Sequence, residues 1–165
     1  MLFVGKCVNY KENILRKEKS VAVICHIRPD GDAIGSAVAL YLGLNSINIK
    51  AGVFCDDIIP QKFNFLESVG DIKREFKGDF SAIIAVDSAD ITRIGDFACI
   101  FDNHKNTYNL DHHVSNNRYA KNNFVLDLAS NAENVFALLK ELGVNDINLR
   151  NNSSVRLYGT HRKLL

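Results

Sequence analysis

The stretch VAVICHIRPDGDAIGSAVALYLGL, Val21 to Leu44, decides the fold. Val21 to Cys25 is a continuous, mostly β-branched apolar run, the pattern of a strand buried on both faces of a parallel sheet. A polar turn follows, His26-Ile27-Arg28-Pro29-Asp30-Gly31-Asp32. The chain then enters a segment in which Ile34, Val38, Tyr41 and Leu42 recur at helical spacing. A strand–loop–helix unit places the polar turn at the carboxyl end of the strand, where open α/β sheets bind ligands.

Outward from this unit the pattern repeats. Ile47 to Phe54 alternates like a strand, and Phe63, Phe65 and Leu66 fit a short helix or ordered loop. Ser81 to Val86 is a second buried strand, ending in Asp87. Thr107 to Leu110 is a shorter one, ending in Asp111-His112-His113, and Phe124 to Leu128 is a further candidate. Ser130 to Leu142 is predicted helical: Ser130 and Glu133 have the capping-box spacing, and Val135, Phe136, Leu138, Leu139 and Leu142 form the buried stripe. Gly143 supplies the left-handed stop. Asn9 to Lys19 fits a short amphipathic helix. The expected architecture is α/β, a mostly parallel sheet with helices on both faces. The expected domain spans residues 1–143, with a divergent, frayed tail over 144–165.

Composition limits the function classes. With 47% apolar and 24% charged residues the chain has the balance of a folded protein. A net charge of +1 gives no global field toward nucleic acid or membrane, so an anionic substrate must be drawn in locally. Lys and Arg are dispersed, which disfavours a basic nucleic-acid groove. No apolar run reaches the ~18 residues of a membrane span; the cytoplasm is the expected compartment, with no membrane partner. The four cysteines, Cys7, Cys25, Cys55 and Cys99, lack disulfide or zinc spacing, and Cys25 and Cys99 read as small buried hydrophobes. The first strand lacks a G-x-G-x-x-G and its loop is acidic, which argues against a dinucleotide-binding oxidoreductase.

The strand ends carry the chemistry. His26, Asp30 and Asp32 follow the first, Asp87 the third, and Asp111, His112 and His113 the fourth. Each group has an ordinary reading by itself: Asp30-Gly31-Asp32 as a turn with a helix N-cap at Asp32, Asp87-Ser88 as a strand-ending loop, His112-His113 as a polar pair. Together they converge on one sheet edge. Carboxylates held within ~4–6 Å of each other repel unless cations neutralise them. A pair of divalent ions would do so, with Asp87 as the shared ligand, and carboxylates with imidazoles suit Mn²⁺ or Mg²⁺.

Three ordered motifs carry a resemblance. HIRPDGDAIGSAVAL (His26 to Leu40), AVDSAD (Ala85 to Asp90) and LDHHVSN (Leu110 to Asn116) resemble the signatures of the DHH phosphoesterase superfamily. Within it the chain looks most like the NrnA-like oligoribonuclease and pAp phosphatase group, relatives of RecJ. The resemblance implies a two-manganese hydrolase (or Mg²⁺ in its place) acting on short RNA or DNA oligonucleotides or 3′-phosphoadenosine 5′-phosphate (pAp). It implies His26, Asp30 and Asp87 at one metal and Asp32, Asp87 and His112 at the second. His113 would face the substrate phosphate, Asp111 would orient the neighbouring histidine, and Asn116 would brace the loop or touch substrate. Complete members continue into a fourth motif with an Asp and a DHHA1 domain. Here Leu157-Tyr158-Gly159 resembles the lead-in, but no acid follows Asp146 and His161 lies in the basic tail. The expectation is a truncated chain, impaired or non-catalytic, with a separately encoded DHHA1-type chain or a second copy as possible partners.

Overall fold

The computed structural model describes residues 15–66 and 68–144. Five strands form one wholly parallel sheet: β1 (Ser20–Cys25), β2 (Lys50–Phe54), β3 (Ala82–Val86), β4 (Thr107–Asp111) and β5 (Asn122–Val125), in the order β2-β1-β3-β4-β5. The chain leaves β1 toward one edge and returns to its other side. The topological switch point therefore lies between β1 and β3, where ligands of open α/β sheets bind.

Successive side chains of a strand face opposite sides, and the two cores follow that rule. Val21, Val23, Cys25, Ile84 and Val86 join one cluster with Leu40, Leu44, Val135 and Leu139 of α1 (Gly31–Ser46) and α3 (Asn131–Glu141). Ala22, Ile24, Ile83 and Ala85 face the other side, where they meet Ile94 and Phe97 of a 3-10 segment (Ile91–Phe97) and Phe101 of α2 (Ala98–Asn103). The expected helices on both faces are present. α1 is buried almost all round, because the sheet and α3 flank it. At Gly43 a Cβ would lie 2.5 Å from Leu139 Cδ2, so the two helices approach at a distance glycine alone permits.

Several expectations need correction. The Ile47–Ile49 part of the anticipated strand is instead the exit turn of α1, with the amides of Ile47 and Ile49 both on Leu44 O. β5 lies slightly earlier than Phe124–Leu128. The 61–66 region is a 3-10 turn (Gln61–Phe63) continued by irregular turns. Phe136 is exposed on α3, while Val135, Leu138, Leu139 and Leu142 are buried, and Gly143 takes φ +85° as anticipated. Cys25 is buried but Cys99 is exposed on α2. Of the Asn9–Lys19 helix, a 3-10 turn at Leu15–Lys17 falls within the described residues and the rest lies outside them, as do Cys7, Asp146, His161 and the 145–165 tail. Among the described residues no helix is long and apolar enough to cross a membrane.

Candidate metal centre

The polar turn after β1 is built around two carboxylates with different duties. Asp30, not Asp32, is the N-cap of α1: its Oδ1 accepts from the amides of Asp32 and Ala33, both at 3.0 Å. Asp32 sits one residue inside the helix and reaches across to α3. Its Oδ2 accepts from Asn131 N at 2.7 Å and its Oδ1 from Ala132 N at 3.0 Å and Ser36 Oγ at 3.3 Å. This displaces the anticipated capping box, since the Ser130 side chain makes no cap bond. A charged carboxylate at a helix N-terminus serves the free amides and meets the positive end of the helix dipole.

Asp87 follows β3 in a left-handed conformation, φ +55°, an uncommon geometry for a residue with a Cβ. Its side chain is 2% exposed, and its Oδ1 has no hydrogen-bond partner. Burial, and then the neighbouring charges of Asp32, Asp30 and Asp111, push its carboxyl up to about 8. A buried oxygen left without a donor costs the full desolvation of that atom. A fold that retains one is built for a partner of another kind.

Two imidazoles face this carboxylate. His26 Nδ1 donates to Ile27 O at 2.7 Å, which leaves Nε2 deprotonated, 3.8 Å from Asp87 Oδ2. Burial lowers the pKa of His26, favouring that neutral form. His112 Nδ1 likewise donates to Leu128 O at 3.0 Å. Its Nε2 stands 3.3 Å from Asp87 Oδ1 and 3.6 Å from Asp32 Oδ2. Each imidazole thus turns its second nitrogen toward a carboxylate oxygen. Histidines that ligate metals fix their ring in this way, one nitrogen on a backbone carbonyl and the other toward the ion. The donor set fits divalent cations.

His113 and Asp111 form a second layer of the same edge. His113 Nδ1 donates to Asp111 Oδ1 at 2.8 Å and lies 3.9 Å from Asp87 Oδ1. Asp111 is fully buried at the end of β4. Its other oxygen accepts from Asn116 Nδ2 at 2.6 Å, and the same amide lies 2.7 Å from Asn109 Oδ1 and 3.2 Å from Ser88 O. Asn109, inside β4, also donates to Ser88 O at 3.1 Å. Asn109 and Ser88 escape a sequence reading because neither stands at a motif position that metal chemistry would single out.

All eight candidates, His26, Asp30, Asp32, Asp87, Asp111, His112, His113 and Asn116, thus lie at or beside the carboxyl edge of the sheet. Two trios have ligand atoms within 4.8 Å of one another: His26, Asp30 and Asp87, and then Asp87, His112 and His113. Asp87 is common to both. The second trio includes His113 where the sequence suggested Asp32, whose oxygens are engaged by α3.

Comparison with known proteins bears on the family and the fold. The family model described as the N-terminal domain of the DHH family matches residues 20–156. A solved structure of an exopolyphosphatase-related protein from Bacteroides fragilis superposes with a TM-score of 0.76 at 21% identity, over 88% of this chain and 47% of that one. The chain therefore spans about half the length of that relative, and the likeness extends the fold match to this portion.

Proposed function

Because the chain belongs to the DHH family through that family's N-terminal domain, we propose that it forms the metal-binding half of a phosphoesterase acting on short oligonucleotides or pAp, with Mn²⁺ or Mg²⁺ as cofactor. One observation supports this above the rest. Asp87 Oδ1, buried and without a donor, faces Nε2 of His112 at 3.3 Å. Without metal, Asp87 relieves its crowding by keeping a proton at neutral pH, and a bound cation would take that proton's place.

In this reading His26, Asp30 and Asp87 hold one ion, and Asp87 with His112 holds a second beside Asp32. Bound divalent ions supply Lewis acidity toward phosphoryl oxygens and acidify a water toward neutrality. The protein's own contribution is placement. Ile27 O and Leu128 O fix the two imidazole rings, and the Asp32 bonds to Asn131 N and Ala132 N hold the first motif against α3. Asp111, tied down by Asn116, accepts from His113 Nδ1 and so orients the ring toward the substrate's phosphoryl group.

Calorimetric titration with Mn²⁺, with release of phosphate from pAp and of mononucleotides from a short RNA measured on the same sample, tests the reading. Binding of two Mn²⁺ ions, one of which the H112A substitution removes, with turnover dependent on the ion, is expected. Absence of Mn²⁺ and Mg²⁺ binding by the folded chain would overturn it.

A further inference from the structure

Resting on the phosphoesterase reading, we propose that Arg93 is a substrate-binding residue that grips non-bridging oxygens of the phosphoryl group at the rim of the metal centre. Arg93 is exposed as a residue, and its Nη2 lies 3.3 Å from His26 Nδ1 in a part-buried contact. With the Nδ1 proton on Ile27 O at 2.7 Å, two donors face each other there. Among the described residues the remaining N–H groups of Arg93 meet no carboxylate, which suits a planar, bidentate acceptor such as a phosphate.

The position is fixed from the backbone. Ile27 N donates to Arg93 O at 2.8 Å, joining the first motif to the 3-10 segment that carries Arg93. Two residues on, Gly95 adopts φ +63°, and Asp96 N donates to Asp56 Oδ2 at 2.8 Å. A Cβ at Gly95 would stand 2.2 Å from that oxygen, so the turn is locked in place.

The Arg93 charge is felt by Asp87, whose carboxyl it lowers slightly against the effect of burial, while the acids flanking its own segment are occupied elsewhere. Asp90 Oδ1 accepts from Thr92 N and Oγ1, and Asp90 Oδ2 from Asn117 Nδ2, while Asp56 serves Asp96. Among the described residues Arg93 has no carboxylate within ion-pair distance. The charge balance gives this cation a purpose. Two dications would be offset by Asp30, Asp32, Asp87 and Asp111, leaving no surplus positive charge for an anionic substrate. Arg93 supplies it at the open side.

The test uses Mn²⁺-loaded wild type, Arg93→Ala and Arg93→Lys, each checked for fold by circular dichroism. Affinity for inorganic phosphate and for AMP is measured by calorimetry, Mn²⁺ affinity separately, and KM and kcat on pAp. R93A should weaken phosphate and AMP binding and raise KM about 10- to 100-fold, the value of a charge-assisted pair, with Mn²⁺ affinity unchanged. R93K should recover part of the loss. Unaltered phosphate affinity in R93A overturns the proposal, as does a parallel loss of Mn²⁺ affinity, which would make Arg93 a brace for His26. Wild type that binds Mn²⁺ but neither phosphate, AMP nor pAp removes the phosphoesterase reading, and this proposal with it.

Discussion

Replacing Asp87 by Asn should make the metal-free protein more stable in mild alkali, although it destroys the proposed site. The Asp87 carboxyl is raised from an ordinary 3.8 to about 8 by burial and three neighbouring acids. A raised carboxyl binds its proton in the folded chain while the unfolded chain has lost it. Its stabilising contribution is therefore complete below pH ~4 and disappears as pH rises through about 8. The slope is about 1.4 kcal/mol per pH unit, which accumulates to roughly 4–6 kcal/mol over the whole window. His26, whose pKa is lowered, changes stability in the opposite sense, but its effect is confined below pH ~6.5. From pH 7 upward the Cys55 thiol, lowered by its contact with Cys25, also titrates, but alike in both variants, so the difference between wild type and D87N isolates Asp87. The assay is urea denaturation in EDTA at half-unit steps from pH 7 to 9. Relative to D87N, wild type should lose about 1 kcal/mol between pH 7 and 8 and level off above. D87N should, at pH 8, be more stable by several kcal/mol, or roughly 10 °C in Tm. Saturating Mn²⁺ should abolish this relative loss and leave D87N unchanged. If metal-free D87N is less stable than wild type at pH 8, the unpaired-charge argument is wrong.

Three further outcomes follow from the geometry. At pH 6 in EDTA, with Asp87 protonated, D32A should cost about 1–2 kcal/mol by uncapping α3, whereas S130A should cost almost nothing; chemical denaturation of both variants checks the contrast. G43V should push α1 off Leu139 and destabilise by about 1–3 kcal/mol, visible as a lower Tm without a change in Mn²⁺ stoichiometry. N116A frees one oxygen of buried Asp111 and should lower kcat on pAp about 10-fold or more, while Mn²⁺ affinity measured by calorimetry stays close to wild type.

The two central strands were readable because Val21–Cys25 and Ala82–Val86 are apolar runs with no period other than burial on both sides. The acids and histidines at their ends were readable for the same reason: a charge after such a run has one edge to occupy. What depended on distant partners was not readable. Ser130 and Glu133 have the spacing of a local cap, but Asp32 outcompetes the hydroxyl from 99 residues away. β5 is an edge strand of half-buried Asn122, Asn123, Phe124 and Val125, so hydrophobicity does not mark its start. Phe136 and Cys99 sit on outer helix faces, where apolar character predicts a burial that the fold does not provide. Arg93 lies near His26 through an irregular 3-10 path that has no sequence period.

The joint between Asp32 and α3 also sets an order of events. Asp32 N-terminal to the second turn of α1 meets amides 99 and 100 positions later, and closing so long a loop is entropically expensive and slow. On the ribosome, β1 and α1 emerge long before α3 exists. During that interval Asp32 lacks the α3 amides it serves, and the first motif is not yet tied to that helix. The orientation of Asp32 at the sheet edge is therefore set late in folding, only after α3 has formed.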